Sequence, residues 1–490
     1  MSNDFICFVG SSIPDFTQRC KNSFFLKNNS WDDYSYRTTY ELYFIGEDKS
    51  YQIIGHVKVA KKGLTEGERP LQNGKLEALD GNYFSLGQDK EFYTNLRSLS
   101  TNYGSLFLSS LNDISFNYKL WVENYSESAL IISLMRDVTA LDVVSFNLVF
   151  NGKNDKLSYT VKFTYDNEEI DFSVNHNDNI YRNSNIHSLI GNNGVGKTTI
   201  LKELVNKIAH NDFTCHLCIP ELSDVLNQEL EIPYIDRVIY ASFSAFDNNL
   251  PSIPKGYKYD YLGLHNDSGS FKGPADLRDE FKSAFEKLIE RSDQKYLSEV
   301  FEPLCKVEYL YEHVNNIQTN FSNIDEIISI YNELSSGHRI VIHTLVLLMN
   351  KLRQGMITLF DEPETHLHPP LLGAFLQSLQ VICNTHNGMI IFATHSPIIL
   401  QEILSSNVYV LRRVDNEAIF DRPHITTYGQ NVSKLTRTAF GYQKVGFHKT
   451  ISDLVASEDI TKENIDEIDT IGSEARKLAW TQLYRNEDDK

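Results

Sequence analysis

A glycine-rich segment near the middle of the chain has the residue types and spacing of a phosphate-binding loop. Its pattern is Gly-x-x-x-x-Gly-Lys-Thr, and its residues are Gly191, Asn192, Asn193, Gly194, Val195, Gly196, Lys197 and Thr198, with Thr199 following. Glycines let backbone amides turn toward phosphate oxygens, and the lysine of such a loop reaches the β- and γ-phosphates of ATP. We expect the Thr198 hydroxyl to bind Mg²⁺ and Thr199 to contact the α-phosphate.

Two adjacent carboxylates follow an apolar segment farther along the chain. Residues 356–360 are predicted to form a buried strand, and Asp361 and Glu362 come directly after it. We expect Asp361 to bind Mg²⁺ through water and Glu362 to act as the general base for the attacking water. The alternative is a pair of helix-capping acids before Pro363. That alternative explains one acid, but it does not explain the pairing with an upstream phosphate loop.

A short polar segment lies between these two motifs. Ser335, Ser336 and Gly337 precede an apolar helix that is predicted over residues 340–352. Hydroxyls and amides at a helix start bind anions, although an ordinary N-cap has the same residue types. In this order of motifs, the segment is predicted to reach the γ-phosphate of ATP that the opposite subunit holds.

A histidine completes the set. His395 follows an apolar strand predicted over residues 389–392. A histidine in such a place is more often structural than catalytic, but its position after the paired acids favours a contact with the γ-phosphate. The four motifs together predict an ATPase whose site closes between two subunits. Its catalytic residues are predicted to be Lys197, Glu362 and His395.

The composition limits the classes of partner. The chain of 490 residues has 46 lysines and arginines against 65 aspartates and glutamates, a net charge of −19. We do not expect it to coat nucleic acid, because that needs clustered cations. A local basic groove stays compatible with this charge, so DNA contact by this chain alone is left open. The sequence shows neither a signal peptide nor a membrane-spanning run, which predicts a cytoplasmic protein without membrane contacts.

The six cysteines are too few and too scattered for a disulfide framework, and reduced thiols are the preferred interpretation. Cys215 and Cys218 have the spacing of half a zinc site, with His210 nearby. No second Cys-x-x-Cys completes the site, so metal binding there is the minor alternative.

The order of predicted elements indicates an α/β fold. Residues 1–190 are predicted to be mainly strands, because apolar and polar residues alternate over 157–165. Further strands are predicted at 39–45, 53–60, 143–150 and 238–241, and helices at 197–210, over 274–330 and from about 425. Trp31 and Tyr34 could stack on an adenine base, but packing in the core is the preferred use of both.

With these motifs, the chain resembles the ABC-type ATPases, in their SMC/Rad50-like branch. The segment from Asp361 to Pro369 is similar to that of overcoming-lysogenization-defect ATPases of bacterial defence. The resemblance implies an ABC-type P-loop ATPase head, with residues 364–368 crossing to a partner subunit. The implied organisation has an N-terminal part with a β-lobe (1–250), a helical insertion (251–330), the C-terminal part of the head (331–425) and a helical acidic tail for partner or oligomer contacts (426–490).

Sequence patterns that are less specific than the ATPase motifs resemble the PtuA-like ATPases of Septu and retron antiphage systems. They are residues 31–34 with 38–39, 55–59, 85–89 and 242–247. The sequence also departs from the wider family. No Q-loop glutamine follows residues 238–241, where Ser244 is a weak candidate, and neither long coiled coils nor a fused TOPRIM nuclease is present.

The resemblance implies a function in antiphage defence. An ATPase subunit, slowly hydrolysing ATP with Mg²⁺, would close as a head-to-tail dimer or a larger oligomer and regulate a separate effector, an HNH nuclease of the PtuB type. A retron version would add a reverse transcriptase and its RNA–DNA. The alternatives are an ATPase that sequesters a TOPRIM toxin, as in PARIS systems, and an SMC/Rad50-like DNA repair ATPase.

Overall fold

The computed structural model describes the chain apart from residues 1–4, 32, 34, 100–101, 154–155, 176–184, 211, 213, 221–230, 234–236, 244–250, 252, 254–258, 267–268, 415–416, 441–446 and 489–490. Tyr34 and Ser244, two residues singled out above, therefore lie outside the described residues.

The described strands form three sheets. They are β1 (Cys7–Gly10), β2 (Ser23–Asn28), β3 (Thr39–Ile45), β4 (Tyr51–Lys61), β5 (Gly74–Leu76), β6 (Tyr83–Gly87), β7 (Tyr159–Tyr165), β8 (Glu168–Val174), β9 (Ile186–Ile190), β10 (Cys215–Cys218), β11 (Glu231–Pro233), β12 (Val238–Ser242), β13 (Tyr259–Gly263), β14 (Ile357–Asp361), β15 (Met389–Thr394), β16 (Val408–Val414) and β17 (Glu417–Asp421).

The α-helices of the described part lie between and after these strands. They are α1 (Lys90–Ser98), α2 (Tyr103–Ser110), α3 (Tyr118–Asn124), α4 (Ala140–Phe150), α5 (Lys197–Ala209), α6 (Pro274–Glu290), α7 (Gln294–Phe301), α8 (Tyr311–Thr319), α9 (Ile324–Glu333), α10 (Ser336–Lys351), α11 (Pro369–His386), α12 (Pro397–Gln401), α13 (Val432–Phe440), α14 (Phe447–Ala456) and α15 (Ser473–Asp488). A π-helix spans Leu130–Leu134.

The first sheet lies in residues 5–150, which we call the N-terminal domain, and has the order β5-β1-β2-β3-β4-β6. Its neighbouring strands are antiparallel, except for the parallel pair β1 and β2. Large aromatic side chains such as Phe24, Tyr40 and Phe84 are fully buried against it. The predicted antiparallel β-lobe at the N-terminus is thus confirmed.

Residues 143–150 were predicted to form a strand, and this prediction is wrong. They belong to α4, and α1 to α3 also lie within the region expected to be mainly strands. Thr139 and Asp142 explain the helix, because the Thr139 hydroxyl accepts a hydrogen bond from the Asp142 amide and the Asp142 carboxylate accepts one from the Thr139 amide. This reciprocal cap satisfies amides that the first turn of a helix leaves unpaired.

The second sheet is small and antiparallel throughout, with the order β11-β10-β7-β8. In β7 the residues Tyr159, Val161, Phe163 and Tyr165 are buried, and the residues between them are less so. The alternation read from the sequence is confirmed. Cys215 and Cys218 lie on β10, and no group of three metal-ligating side chains exists among the described residues.

The central sheet carries the sequence motifs and has the order β13-β12-β14-β15-β9-β16-β17. All its strands are parallel except β17. Every residue of β9, β12, β14 and β15 is buried, as expected of parallel strands covered on both faces. Because parallel strands end at one edge, Ile190, Ser242, Asp361 and Thr394 meet there. The predicted α/β class is confirmed.

The helices in the second half of the chain contribute to two separate cores. The helices predicted over 274–330 are present as α6 to α9, and their apolar residues join one core with α10, α11 and the central sheet. The C-terminal helices α14 and α15 enclose a small separate core that includes Ile451, Ile465 and Ala479. Within the described part of the chain, we find no helix that is both long and apolar enough to cross a membrane.

Candidate active site

The phosphate loop joins the end of β9 to the start of α5. Gly194 has a φ of 81° and Gly196 a φ of 103°, values that residues with a Cβ rarely adopt. At Gly191 a Cβ would lie 2.4 Å from the Leu411 carbonyl oxygen, so this position also requires glycine. The loop therefore has the backbone shape that lets amides face an anion, at the edge where the parallel strands end.

Lys197 is the first residue of α5, and its side chain folds back across the loop. Its Nζ donates hydrogen bonds to the carbonyl oxygens of Gly191, at 2.9 Å, and Asn192, at 3.1 Å. Burial lowers the pKa of Lys197, and the negative charges of Glu362 and Asp361 partly oppose this change. The ammonium group is thus held at the loop by weak carbonyl acceptors, which phosphate oxygens can replace.

Asp361 ends β14 and connects the phosphate loop to a neighbouring strand. Its Oδ1 accepts a hydrogen bond from the Thr198 hydroxyl at 3.0 Å, and its Oδ2 accepts one from Tyr240 Oη at 3.1 Å. Oxygen donors of this kind suit Mg²⁺, so the residues present fit the predicted cation. Tyr240 was not identified as a site residue from the sequence. Its place inside the apolar strand β12 was the available signal, because a buried hydroxyl needs a polar partner.

Glu362 leaves the strand in an unusual backbone conformation. Its φ is 49°, in the left-handed region, and its N–H donates to the Ala393 carbonyl oxygen at 2.8 Å. Such a conformation costs on the order of 1 kcal/mol and is characteristic of functional sites. The turn leaves the Glu362 carboxylate partly exposed, and its Oε1 lies 3.5 Å from His395 Nδ1.

Glu364 was predicted to belong to a loop that crosses to a partner subunit, but its side chain turns into its own chain. Its Oε1 accepts hydrogen bonds from the Thr394 hydroxyl at 2.7 Å and from the His395 amide at 2.9 Å. The same oxygen lies 3.3 Å from His395 Nδ1. Glu364 therefore fixes the backbone and the ring of His395, a role that the sequence did not suggest.

The serine segment lies at the start of α10. Ser335 Oγ accepts a hydrogen bond from the His338 amide at 3.4 Å, and both Ser335 and Ser336 are exposed. A Cβ on Gly337 would lie 3.0 Å from the His366 carbonyl oxygen, so the segment packs closely on the loop after Asp361. Among the described residues, neither serine forms a hydrogen bond with the phosphate loop of the same chain.

Three other candidate residues either differ from expectation or fall outside the described part of the chain. Trp31 was expected to pack in the core, but it is 58 % exposed and its Nε1 donates to Asp33. Tyr34 and Ser244, the other adenine and Q-loop candidates, fall outside the described residues.

Comparison with known proteins identifies the class. A family described as "AAA domain, putative AbiEii toxin, Type IV TA system" matches residues 219–401, a segment that starts after the phosphate loop and includes the serine segment, Asp361 and His395. Together with the loop and the central sheet, this match indicates an ATPase domain of the AAA type. An ATP-binding cassette of an ABC transporter, solved in its ADP conformation, aligns at 12 % identity with a TM-score of 0.27, covering 58 % of this chain and 94 % of the other.

A full-length relative defines the family. Protein ea59 of Escherichia phage lambda is 33 % identical over 476 residues, which cover 89 % of this chain and 90 % of the relative. The chain belongs to the same family as protein ea59.

Proposed function

We propose that this protein hydrolyses ATP at the edge of its central sheet and uses the nucleotide to control a separate effector. One observation carries the ATPase part of the proposal. Lys197, the Thr198–Asp361 pair and the Glu362–His395 pair converge at the ends of three neighbouring strands. They are the groups that phosphoryl transfer to water needs, namely a phosphate cradle, a cation site and a base.

The chain's own residues have distinct roles in this proposal. Lys197 and the amides of the glycine loop bind the β- and γ-phosphates, and Thr198 and Asp361 hold the Mg²⁺. Glu362 accepts a proton from the attacking water. His395 contacts the γ-phosphate, and Glu364 positions the ring of His395. Bound Mg²⁺ supplies neutralisation of the charge on the phosphate oxygens.

We further propose that the site is completed by a second copy of the chain in a head-to-tail dimer. Ser335 and Ser336 are exposed at the start of α10, whose amides and dipole favour an anion. In the described part of one chain, neither serine is hydrogen-bonded to the phosphate loop. A facing subunit would bring its own loop to these serines. ATP would then stabilise the dimer, because it contacts both chains.

The effector is proposed to be an HNH nuclease in an antiphage system, as in PtuA-like proteins. The motifs at residues 31–34, 55–59 and 85–89 support this assignment. The family description names a toxin and a type IV toxin–antitoxin system, and this favours a second candidate. In that case the ATPase would sequester a toxin, such as one with a TOPRIM fold.

Two variants test the ATPase proposal. Lys197→Ala should weaken ATP binding by about 100-fold, because it removes charge-assisted hydrogen bonds to phosphate. Glu362→Gln should retain ATP and lower turnover at least about 100-fold, because it removes the base. The measurements are nucleotide affinity by calorimetry and phosphate release. Wild-type affinity in the first variant, or wild-type turnover in the second, would overturn the assignment of that residue.

A separate experiment tests the partner. The protein, expressed with its native flanking genes, is purified by affinity and its companions are identified by mass spectrometry. A stoichiometric HNH nuclease supports the Septu-like function, and an added reverse transcriptase supports a retron. A TOPRIM protein supports toxin sequestration. Recovery of the ATPase alone counts against a stable effector complex.

A further inference from the structure

A second cleft lies far from the phosphate loop, at the opposite edge of the central sheet. It has a volume of about 730 Å³. One wall is the N-terminal domain around residues 131–139. The other wall is where strands of the central sheet begin, with Arg237 just before β12 and Met356 just before β14. A cleft of this size is within the range of small-molecule sites.

Basic side chains from both walls meet in this cleft. Arg136 comes from the N-terminal domain, and Arg237, Lys351 and Arg353 come from the central sheet and the end of α10. The acidic residues of the lining are Glu66, Asp137 and Asp260, so the lining carries four cations against three anions. This local excess occurs in a chain whose net charge is −19.

The acidic residues do not neutralise this region fully. Asp260 is shared by two cations, with Arg237 at 3.1 Å and Lys351 at 2.9 Å. Burial lowers the pKa of the nearby His386 to about 4, and the charges of Arg353 and Arg291 contribute to this shift. The lining of the cleft therefore carries a net positive charge, which favours an anionic ligand.

The cleft also has an apolar side. Ile131, Ile132, Met135 and Met356 are part of the lining, and Ile132 is 39 % exposed. Trp31 lies outside this lining, although the Arg136 guanidinium of the lining is 5.9 Å from the centre of its exposed ring. Aliphatic side chains beside cations suit a ligand with a flat ring and phosphate groups.

Arg136 is held in place by a buried network. Asp33 is fully buried and accepts hydrogen bonds from Arg136 at 2.8 Å and from Ser133 at 3.0 Å, while Lys58 lies 2.8 Å away. Burial alone would raise the pKa of Asp33, but the hydrogen bonds from Lys58 and Arg136 outweigh it and lower the pKa. The carboxylate is thus ionised and fixes the guanidinium at the wall of the cleft.

This network uses sequence motifs that the phosphate site does not. Asp33 and Lys58 belong to the segments 31–34 and 55–59, and Gln88, from 85–89, donates to the Leu134 carbonyl oxygen at 3.3 Å. All three residues hold the π-helix Leu130–Leu134 and the residues after it. Much of the N-terminal domain's polar pattern therefore serves to shape one wall of this cleft.

We propose that the cleft binds a purine nucleotide, with its phosphate groups on Arg136, Arg237 and Arg353 and its base against Ile132 and Met135. This site is separate from the ATP site, since the two lie at opposite edges of one parallel sheet. Binding there does not depend on the phosphate loop.

The test uses the Lys197→Ala protein, in which the phosphate loop is disabled. AMP, GMP, ATP and cyclic di-GMP are titrated by calorimetry and by the fluorescence of the tryptophans, with pyrophosphate as a probe of the anion site alone. We expect at least one nucleotide to bind with a Kd of about 100 µM or tighter. Arg237→Glu should weaken this binding about tenfold or more, because it removes a cation and adds an anion.

The matched control is Arg278→Glu, which changes the net charge equally at an exposed position on α6 and should leave the affinity unchanged. If Arg237→Glu fails to fold, Ile132→Glu, at an exposed wall position, should show the same loss. The proposal is overturned if no nucleotide binds, or if the cleft variants bind as the control does. Equal affinity for pyrophosphate overturns the assignment to a nucleotide.

Discussion

Glu364 Oε1 lies 3.3 Å from His395 Nδ1 while it accepts a hydrogen bond from the His395 amide. One carboxylate oxygen thus controls both the backbone and the ring of a residue on the neighbouring strand β15. A carboxylate at Nδ1 favours a proton on that nitrogen, which turns the Nε2 atom toward other partners. The orientation of His395 is therefore set by Glu364 as well as by β15.

Replacing Glu364 by glutamine should lower the rate of ATP hydrolysis and leave the affinity for ATP nearly unchanged. The kcat for ATP hydrolysis should fall about 10- to 100-fold, because the ring of His395 loses its fixed orientation. The affinity for ATP should change less than about threefold, because Glu364 does not contact the phosphate loop. Phosphate release and calorimetry measure the two quantities. Glu333→Gln, at an exposed position, is the control. A kcat within twofold of wild type would contradict the positioning role.

Tyr240 should affect the cation more than the nucleotide. Tyr240→Phe removes the hydroxyl that donates to Asp361 Oδ2. Groups that orient a metal ligand change metal affinity about 10- to 100-fold, so the Mg²⁺ concentration for half-maximal turnover should rise about tenfold. The measurement is a Mg²⁺ titration of ATP hydrolysis at saturating ATP. An unchanged Mg²⁺ requirement would show that Asp361 does not need this hydrogen bond.

Ser336→Arg should prevent assembly while the variant's own phosphate loop still binds ATP. Ser336 is exposed at the start of α10, so a long cation there obstructs a facing subunit and leaves its own phosphate loop intact. The variant is made together with Glu362→Gln, which should retain bound ATP, and its mass with ATP is measured by light scattering. We expect a monomer that still binds ATP through its own phosphate loop, with an affinity reduced only by the loss of the facing subunit's contacts. Ser109→Arg, exposed on α2, should still assemble. An unchanged ATP-bound oligomer counts against the shared site.

Glu280 should make stability depend on pH. It lies 2.8 Å from Lys272 and 3.3 Å from His343. Burial would raise the pKa of Glu280, but the hydrogen bonds from His343 and Lys272 outweigh it and lower the pKa from 4.5 to about 2. Because the folded pKa is the lower one, the stabilisation is complete above about pH 5 and is lost as the pH falls toward 2.

Glu280→Gln should therefore lower the free energy of unfolding at pH 7 by about 1 kcal/mol, a value reduced for solvent screening. The difference in Tm between wild type and variant should be constant from pH 7 to about 5 and should narrow below that. Glu290→Gln, exposed on the same helix, serves as the control. Equal Tm values at pH 7 would refute the stabilising role of this cluster.

Local patterns predicted much of the fold. The glycine loop, the alternation in β7 and the apolar strands β14 and β15 are each determined by neighbouring residues, and each was predicted correctly. The helix α4 was not, because residues 143–150 are apolar on nearly every side and their periodicity is ambiguous. The pair Thr139 and Asp142, with capping-box spacing, was the missed signal.

The missed side chains depend on the order of the strands. Glu364 reaches His395 because β14 and β15 are adjacent, and Tyr240 reaches Asp361 because β12 lies on the other side of β14. No spacing along the chain determines this order. The proposed roles of Ser335, Ser336 and residues 364–368 depend on a second subunit, so they stay predictions.

The helix α10 joins the two edges of the molecule. It begins at Ser336, beside the loop after Asp361, and ends at Lys351, in the lining of the second cleft. Its 16 residues correspond to about 24 Å, and residues 341–349 are buried, so the helix is held firmly along its length. A ligand whose binding shifts the helix, and not the Lys351 side chain alone, would also move Ser336. Such a shift would couple the proposed cleft to the proposed contact with a second subunit, and linkage would then require that a nucleotide that favours assembly bind more tightly to the assembled protein.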